Sequence, residues 1–297
     1  SPWDFQSLGR TGLITRMRAF SRYGITLFAA LAAMTGMNSA WATEGGSATP
    51  QQINLMPAAT QHMERIHEFH NLLLVIITVI TIFVLGLLLW VMIRYNARAN
   101  PKPATWSHNT LIEIVWTVIP IVILVFIGVP SIKLLHEGDA IPAHVDMTVK
   151  AIGNQWYWDY EYPDHGGFVF TATMLSDEDA KKAGEPRLLA VDNRVIVPVG
   201  KVVRVIVTAK DVIHAWAIPA FGVKIDAVPG KLNEIWFKAE REGVFYGQCS
   251  ELCGAKHAFM PIAVEVVSQE RFDQWVEEAK RKFAADDSSA PTALASR

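Results

Sequence analysis

The chain has 297 residues, of which 51% are apolar, a formal net charge of −2 and two cysteines. That length allows one or two domains. The charge balance leaves no basic footprint for nucleic acid, and two cysteines do not build a disulfide framework. A positive mean hydropathy of +0.21 points instead to a membrane protein.

In chain order, the first apolar run has the parts of a secretory signal peptide. Arg18 and Arg22 form a basic start, Ile25–Met34 an apolar centre and Ala40-Trp41-Ala42 an A-x-A cleavage site. Met17 reads as the start, which leaves Ser1–Arg16 as an extension ahead of it. The alternative is an uncleaved membrane anchor. Thr43–Pro50 reads as a flexible tail. Thr43, not a cysteine, stands directly after the cleavage site, so a lipid anchor there is excluded.

The second run, Leu72–Ile93, has 22 uncharged residues, and the third, Ile114–Ile132, has 19. At about 1.5 Å per residue each crosses the roughly 30 Å hydrocarbon layer. The connection between them carries Arg94, Arg98 and Lys102 and no acid, which makes it cytoplasmic by the positive-inside rule. Both ends of the mature chain then face the opposite, exported side, as the signal peptide also requires.

From about Asp146 the pattern turns to short β-branched and aromatic runs: "WYWDYEY", "VIVPVGKVVRVIVTA", "EIWFKAE" and "IAVEVV", punctuated by Gly and Pro. They predict a small antiparallel sandwich or barrel. Alternation places Trp156, Trp158 and Tyr160 on one face of a strand and Tyr157 on the other. Gln269–Phe283, with Phe272, Trp275, Val276, Ala279 and Phe283 at 3/4 spacing, predicts a terminal amphipathic helix. Ala284–Arg297 reads as a disordered tail. The expected domains are 1–42 (extension and signal peptide), 43–70 (N-terminal exported segment), 71–135 (membrane hairpin), 136–269 (β-domain) and 270–297 (helix and tail).

Both cysteines fall in "GQCSELCGAKHAFMP", Gly247–Pro261. In an oxidising compartment, Cys249 and Cys253 could form a disulfide. With His257 and Met260 they also make a soft donor set suited to copper or zinc, and a structural zinc site has no use for a thioether. A blue-copper site uses one Cys, two His and a weak Met. His214 in "DVIHAWAIPAF" follows a predicted strand and supplies the second His. The second cysteine exceeds what one copper needs. Two thiolates can bridge two coppers, each capped by one imidazole, with Met260 on one metal and a backbone carbonyl on the other.

The spacing C-x3-C-x3-H-x2-M with the upstream "DVIHAWAIP" resembles the copper A loop of the cytochrome c oxidase subunit II family, and "WYWDYEYPD" resembles its aromatic stretch. Two membrane helices ahead of a cupredoxin-like Greek-key β-sandwich complete the likeness, from about Glu64 to Trp275. The signal peptide points to a bacterial version rather than a mitochondrially encoded one, and the resemblance is to the aa3-type, copper A-containing subunit.

The resemblance implies a binuclear copper A centre held by His214, Cys249, Cys253, His257, Met260 and the carbonyl of Glu251. It implies that the Glu251 carboxylate reaches a magnesium or manganese ion shared with subunit I. Trp156 would take the electron from cytochrome c, although a buried strand aromatic is the plain alternative. Between Leu135 and Gln269 there are 18 acids against 13 bases, a net of −5. Complementary charge would speed the encounter with a basic cytochrome c, and Glu161, Asp164, Asp192 and Asp211 match acidic family positions near the docking face. Glu113, at the cytoplasmic start of the second span, matches the acid at a proton-channel entrance, though helix starts favour acids anyway. His67 and His70 read as interfacial residues.

The expected function is electron delivery from cytochrome c to haem a of subunit I, for oxygen reduction coupled to proton pumping, in a complex with subunits I and III of a bacterial inner membrane. No haem site is legible in the chain itself. A quinol oxidase subunit would lack the copper ligands, a nitrous-oxide reductase would carry a large further domain, and a fused cytochrome c would need C-x-x-C-H. A membrane-anchored copper carrier with no enzymatic partner is the rival from a different class.

Overall fold

The computed structural model describes residues 46–49 and 51–283. The expected signal peptide, the residues ahead of it and the expected C-terminal tail from 284 lie outside the described residues. Two long helices come first, α1 (Gln61–Arg94) and α2 (Thr110–Asp139). Each starts where a side chain satisfies a free backbone donor: Thr60 accepts from the Met63 N–H, and Asn109 from that of Ile112. Both apolar runs lie inside these helices. Their side chains point outward, with Phe126 61% and Val129 69% exposed. An apolar surface of that extent on both helices fits lipid as the surrounding solvent.

Besides three single 3-10 turns, the β-domain has ten strands and two α-helices, in chain order β1 (Met147–Asn154), β2 (Tyr157–Glu161), β3 (Val169–Ala172), α3 (Asp177–Ala183), β4 (Val195–Pro198), β5 (Val202–Ala209), β6 (His214–Ile218), β7 (Val223–Ala227), β8 (Asn233–Lys238), β9 (Gly243–Gln248), β10 (Pro261–Val267) and α4 (Gln269–Phe283). One sheet runs β3-β2-β1-β5-β8 and another β4-β10-β9, while β6 and β7 form a ribbon. The arrangement is not wholly antiparallel, as the short runs suggested. β1 pairs β5 in parallel, with Val149 opposite Val205, and β10 pairs β4 in parallel, with Val266 opposite Val197. Those pairings join distant strands, which local hydrophobic patterning does not report.

β5 shows period-two burial, with Val203, Val205, Val207 and Ala209 inward. Trp158, Tyr160, Tyr162, Trp216, Phe221 and Phe245 fill the core between the sheets. α4 covers it with Phe272, Val276 and Ala279, while Trp275 and Phe283 pack at its margin. Tyr162 ties the two sheets together: its hydroxyl donates to the Ile196 carbonyl (2.9 Å) and accepts from the Ile196 N–H (3.0 Å).

The segment ahead of α1 runs along the same domain. Gly46 forms a β-bridge with Phe245, the Ala59 N–H donates to the Ala220 carbonyl (2.8 Å), and the Thr60 hydroxyl donates to the Phe221 carbonyl (2.8 Å). The start of α1 is therefore hydrogen-bonded to the β-domain, and Arg65 pairs with Glu137 across the hairpin.

Candidate metal centre

Three loops converge at one end of the β-domain: 249–260 between β9 and β10, 210–213 before β6, and the turn at Gln155 and Trp156 between β1 and β2. The 249–260 loop is closed at its base by the Cys249 N–H to the Met260 carbonyl (3.2 Å), and held to β6 by the Ser250 N–H to the Ala215 carbonyl (3.0 Å). Two glycines permit this approach. A Cβ on Gly247 would stand 1.8 Å from the Ala217 carbonyl oxygen, so β9 lies against β6 only without a side chain there. A Cβ on Gly153 would meet the His214 ring at 2.7 Å. The His214 ring is also met edge-on by Trp158, at 5.9 Å between centroids.

The soft donors meet. Cys249 and Cys253 are free thiols with their sulfurs 3.8 Å apart, a non-bonded separation, so the disulfide alternative is not what the fold holds. His214 Nδ1 lies 3.8 Å from the Cys249 sulfur, and His257 Nδ1 lies 3.5 Å from that of Cys253. The Met260 sulfur is 3.5 Å from Cys253, and the Glu251 carbonyl oxygen is 3.3 Å from Cys249. His214, Cys249 and Cys253 have their ligand atoms within 4.8 Å of one another. His214, both cysteines and Met260 are buried, while His257 is half-buried.

The electrostatics favour one negative charge on the sulfur pair. Burial opposes ionisation of Cys249, but its hydrogen bonds with His214 and with the backbone at Glu251 and Ala215 outweigh that and lower its pKa. Burial and the adjacent Cys249 charge push Cys253 upward. Burial also works against protonated His214, yet its bonds with Cys249 and Asp211 raise its pKa. A buried pair that resists a second negative charge is a pair a cation would stabilise. Two thiols, an imidazole against each and a thioether fit copper, and fit a hard cation poorly.

Trp156 departs from its expected place. β2 begins at Tyr157, so Trp156 sits in the preceding turn and outside the strand alternation, while Trp158 and Tyr160 do share the buried face. The half-buried Trp156 indole N–H donates to the Cys253 carbonyl (3.2 Å), and the Lys256 ammonium stands 5.9 Å over its ring. Gln155, which sequence reasoning missed, donates its side-chain amide to the same Cys253 carbonyl (2.8 Å). Its position beside Trp156 was the available signal.

Of the four acids expected on a docking face, Glu161 pairs with Lys150 (3.0 Å), Asp164 accepts from the Thr148 N–H (2.7 Å) and Asp192 accepts from the N–H (2.7 Å) and hydroxyl (2.8 Å) of Thr173. Asp211 instead lies against His214 (2.8 Å). The Glu251 side chain is exposed. Glu113 lies in the first turn of α2, roughly 40 Å of helix axis from the end joined to the β-domain, and is not brought to this site.

Residues 147–267 match the family described as cytochrome c oxidase subunit II, periplasmic domain, and residues 48–134 match its transmembrane domain. A probable cytochrome c oxidase subunit 2 of Rickettsia bellii is 53% identical over 244 residues, covering 82% of this chain and 90% of that protein. Cytochrome c oxidase subunit 2 of Cereibacter sphaeroides is 46% identical over 252 residues, covering 79% and 82%. The crystal structure of the periplasmic domain of subunit II of cytochrome oxidase of Bradyrhizobium japonicum shares 60% identity, covering 48% of this chain and 99% of that one, with a TM-score of 0.45. This family is copper-binding. With two membrane-length helices, a β-domain and a soft donor cluster in place, the chain belongs to the cytochrome c oxidase subunit II family.

Proposed function

We propose that the chain delivers electrons from cytochrome c to haem a of subunit I, through a binuclear copper A centre, for oxygen reduction coupled to proton pumping. One observation carries the reading: two free, buried thiols 3.8 Å apart, each faced by its own imidazole. A copper pair bound there would supply one reversibly held electron shared over two metals. Cys249 and Cys253 would hold it as thiolates, His214 and His257 through Nδ1, Met260 as a weak thioether and Glu251 through its carbonyl. Burial of His214, both thiols and Met260 excludes water from the donors and limits their rearrangement.

Trp156 is the electron port in this reading. Its half-buried ring links the surface to the Cys253 backbone through the indole N–H. Cytochrome c would dock on the acidic side of the domain, where Asp164 and Asp192 are exposed and Glu161 is half-exposed. The Glu251 carboxylate would take magnesium or manganese shared with subunit I, and Glu113 would stand at a proton-channel entrance. The membrane is the bacterial inner membrane, with the β-domain and both mature termini periplasmic and subunit III as a further neighbour. The hydrogen bonds of residues 46–60 to the β-domain support placing both on one side. The domain limits are those expected from sequence: 1–42, 43–70, 71–135, 136–269 and 270–297.

Metal analysis of the purified complex tests the reading: subunit II should hold two coppers and show a seven-line hyperfine pattern. One copper with four lines would replace it with a mononuclear site. Copper with no accompanying haem subunit would favour a copper carrier. Glu113→Gln should leave copper and its reduction intact and slow oxygen turnover; unaltered turnover rejects the proton role.

A further inference from the structure

We propose that Asp211 is a positioning residue whose single carboxylate fixes both the His214 imidazole and the turn that carries Trp156. The inference rests on the copper reading above. His214 turns Nδ1 toward the Cys249 sulfur and Nε2 toward Asp211 Oδ1, at 2.8 Å. An imidazole that offers Nδ1 to a metal keeps its proton on Nε2, and a carboxylate accepting that proton sets both tautomer and ring angle. The second oxygen, Oδ2, accepts the Gln155 N–H at 2.6 Å. Gln155 and Trp156 then both donate to the Cys253 carbonyl. The chain of contacts closes on itself through His214, Asp211, Gln155, Cys253 and Cys249.

What sets Asp211 apart from the other acids is the side chain it touches. Asp211 uses both oxygens inside the molecule: Oδ1 on His214 and on the Val212 N–H (2.7 Å), and Oδ2 on Gln155. Asp164 and Asp192 also bind the backbone, but neither touches a metal-binding side chain. A carboxylate on Nε2–H makes the imidazole a stronger donor, which favours the more oxidised metal. Removing its charge while keeping its shape should therefore raise the reduction potential.

The test uses the assembled oxidase, with wild type, Asp211→Asn, Asp211→Leu and Gln155→Ala. Copper content, hyperfine pattern, reduction potential and the salt dependence of reduction by cytochrome c are measured on each. Asp211→Asn should keep both coppers and raise the potential. Asp211→Leu should lose copper to a chelator about 10–100-fold faster. Gln155→Ala removes only the side-chain bond to Cys253, and should perturb the hyperfine pattern without touching the salt slope. Asp211→Asn, which keeps the side-chain shape, keeps the proposal testable if Asp211→Leu does not assemble. An Asp211→Asn complex with wild-type potential and spectrum would overturn the proposal, whatever its salt slope. A wild-type complex without a two-copper spectrum overturns the copper reading itself, and this inference with it.

Discussion

The helical hairpin and the loop cluster at the end of the β-domain follow opposite rules. In the hairpin the apolar side chains face out, and each helix is made by residues close in sequence. In the cluster the polar and sulfur groups face in, and residues as distant as Gln155 and Cys253 share one hydrogen bond. The lesson is that burial has no fixed sign. Lipid rewards an apolar exterior, whereas a water-facing domain can bury His214 only because each of its ring nitrogens has a partner.

The largest expected effect strikes the cluster alone. Cys249→Ser should abolish the two-copper signal and electron delivery by cytochrome c, while the hairpin still inserts and the subunit still assembles. Copper analysis and stopped-flow reduction of the complex check this; a retained two-copper spectrum would show that one thiol suffices.

Next, the same truncation made in both regions sharpens the contrast. Phe221 is fully buried, stacked on Phe237 at 4.6 Å, so Phe221→Ala should cost about 3–5 kcal/mol. Phe126 is 61% exposed on the hairpin, and Phe126→Ala should cost less than about 1 kcal/mol. Denaturant titrations of the two variants in detergent compare them, and equal losses would mean that Phe126 is packed by a neighbour rather than by lipid.

A smaller loss is expected where packing stays but a polar contact goes. Tyr162→Phe strips the Ile196 N–H and carbonyl of their buried partner, for about 1–3 kcal/mol. An unchanged denaturation midpoint would show that those groups find another partner.

The smallest effect is a pH dependence. Burial lowers the pKa of His165, whose ring packs edge-on against Phe272 at 5.1 Å. The unfolded chain then binds the proton more readily than the folded one. The stability tied to neutral His165 is fully present above the unfolded value of about 6.5 and is lost as pH falls through the lower folded value. His165→Phe should flatten this acid-side slope in melts between pH 7 and 5; a slope unchanged by the substitution would assign it to other groups.

Much of this protein is written locally. Both spans were legible because the bilayer demands about 20 consecutive apolar residues, a signal that needs no tertiary partner. α4 runs over the residues its 3/4 spacing marked. The donor set was legible because Cys249, Cys253, His257 and Met260 lie within one short loop, and softness is a property of the side chains themselves. Tertiary structure alone decided the parallel pairings of β1 with β5 and of β4 with β10, because hydrophobic alternation does not name the neighbouring strand. It moved Trp156 out of its strand and onto the Cys253 carbonyl. It also set Asp211 against His214, where the Asp-x-x-His spacing in "DVIH" was the only local hint. Such contacts join loops from separate strands, so their geometry exists only once Gly153 and Gly247 have let the strands close on one another.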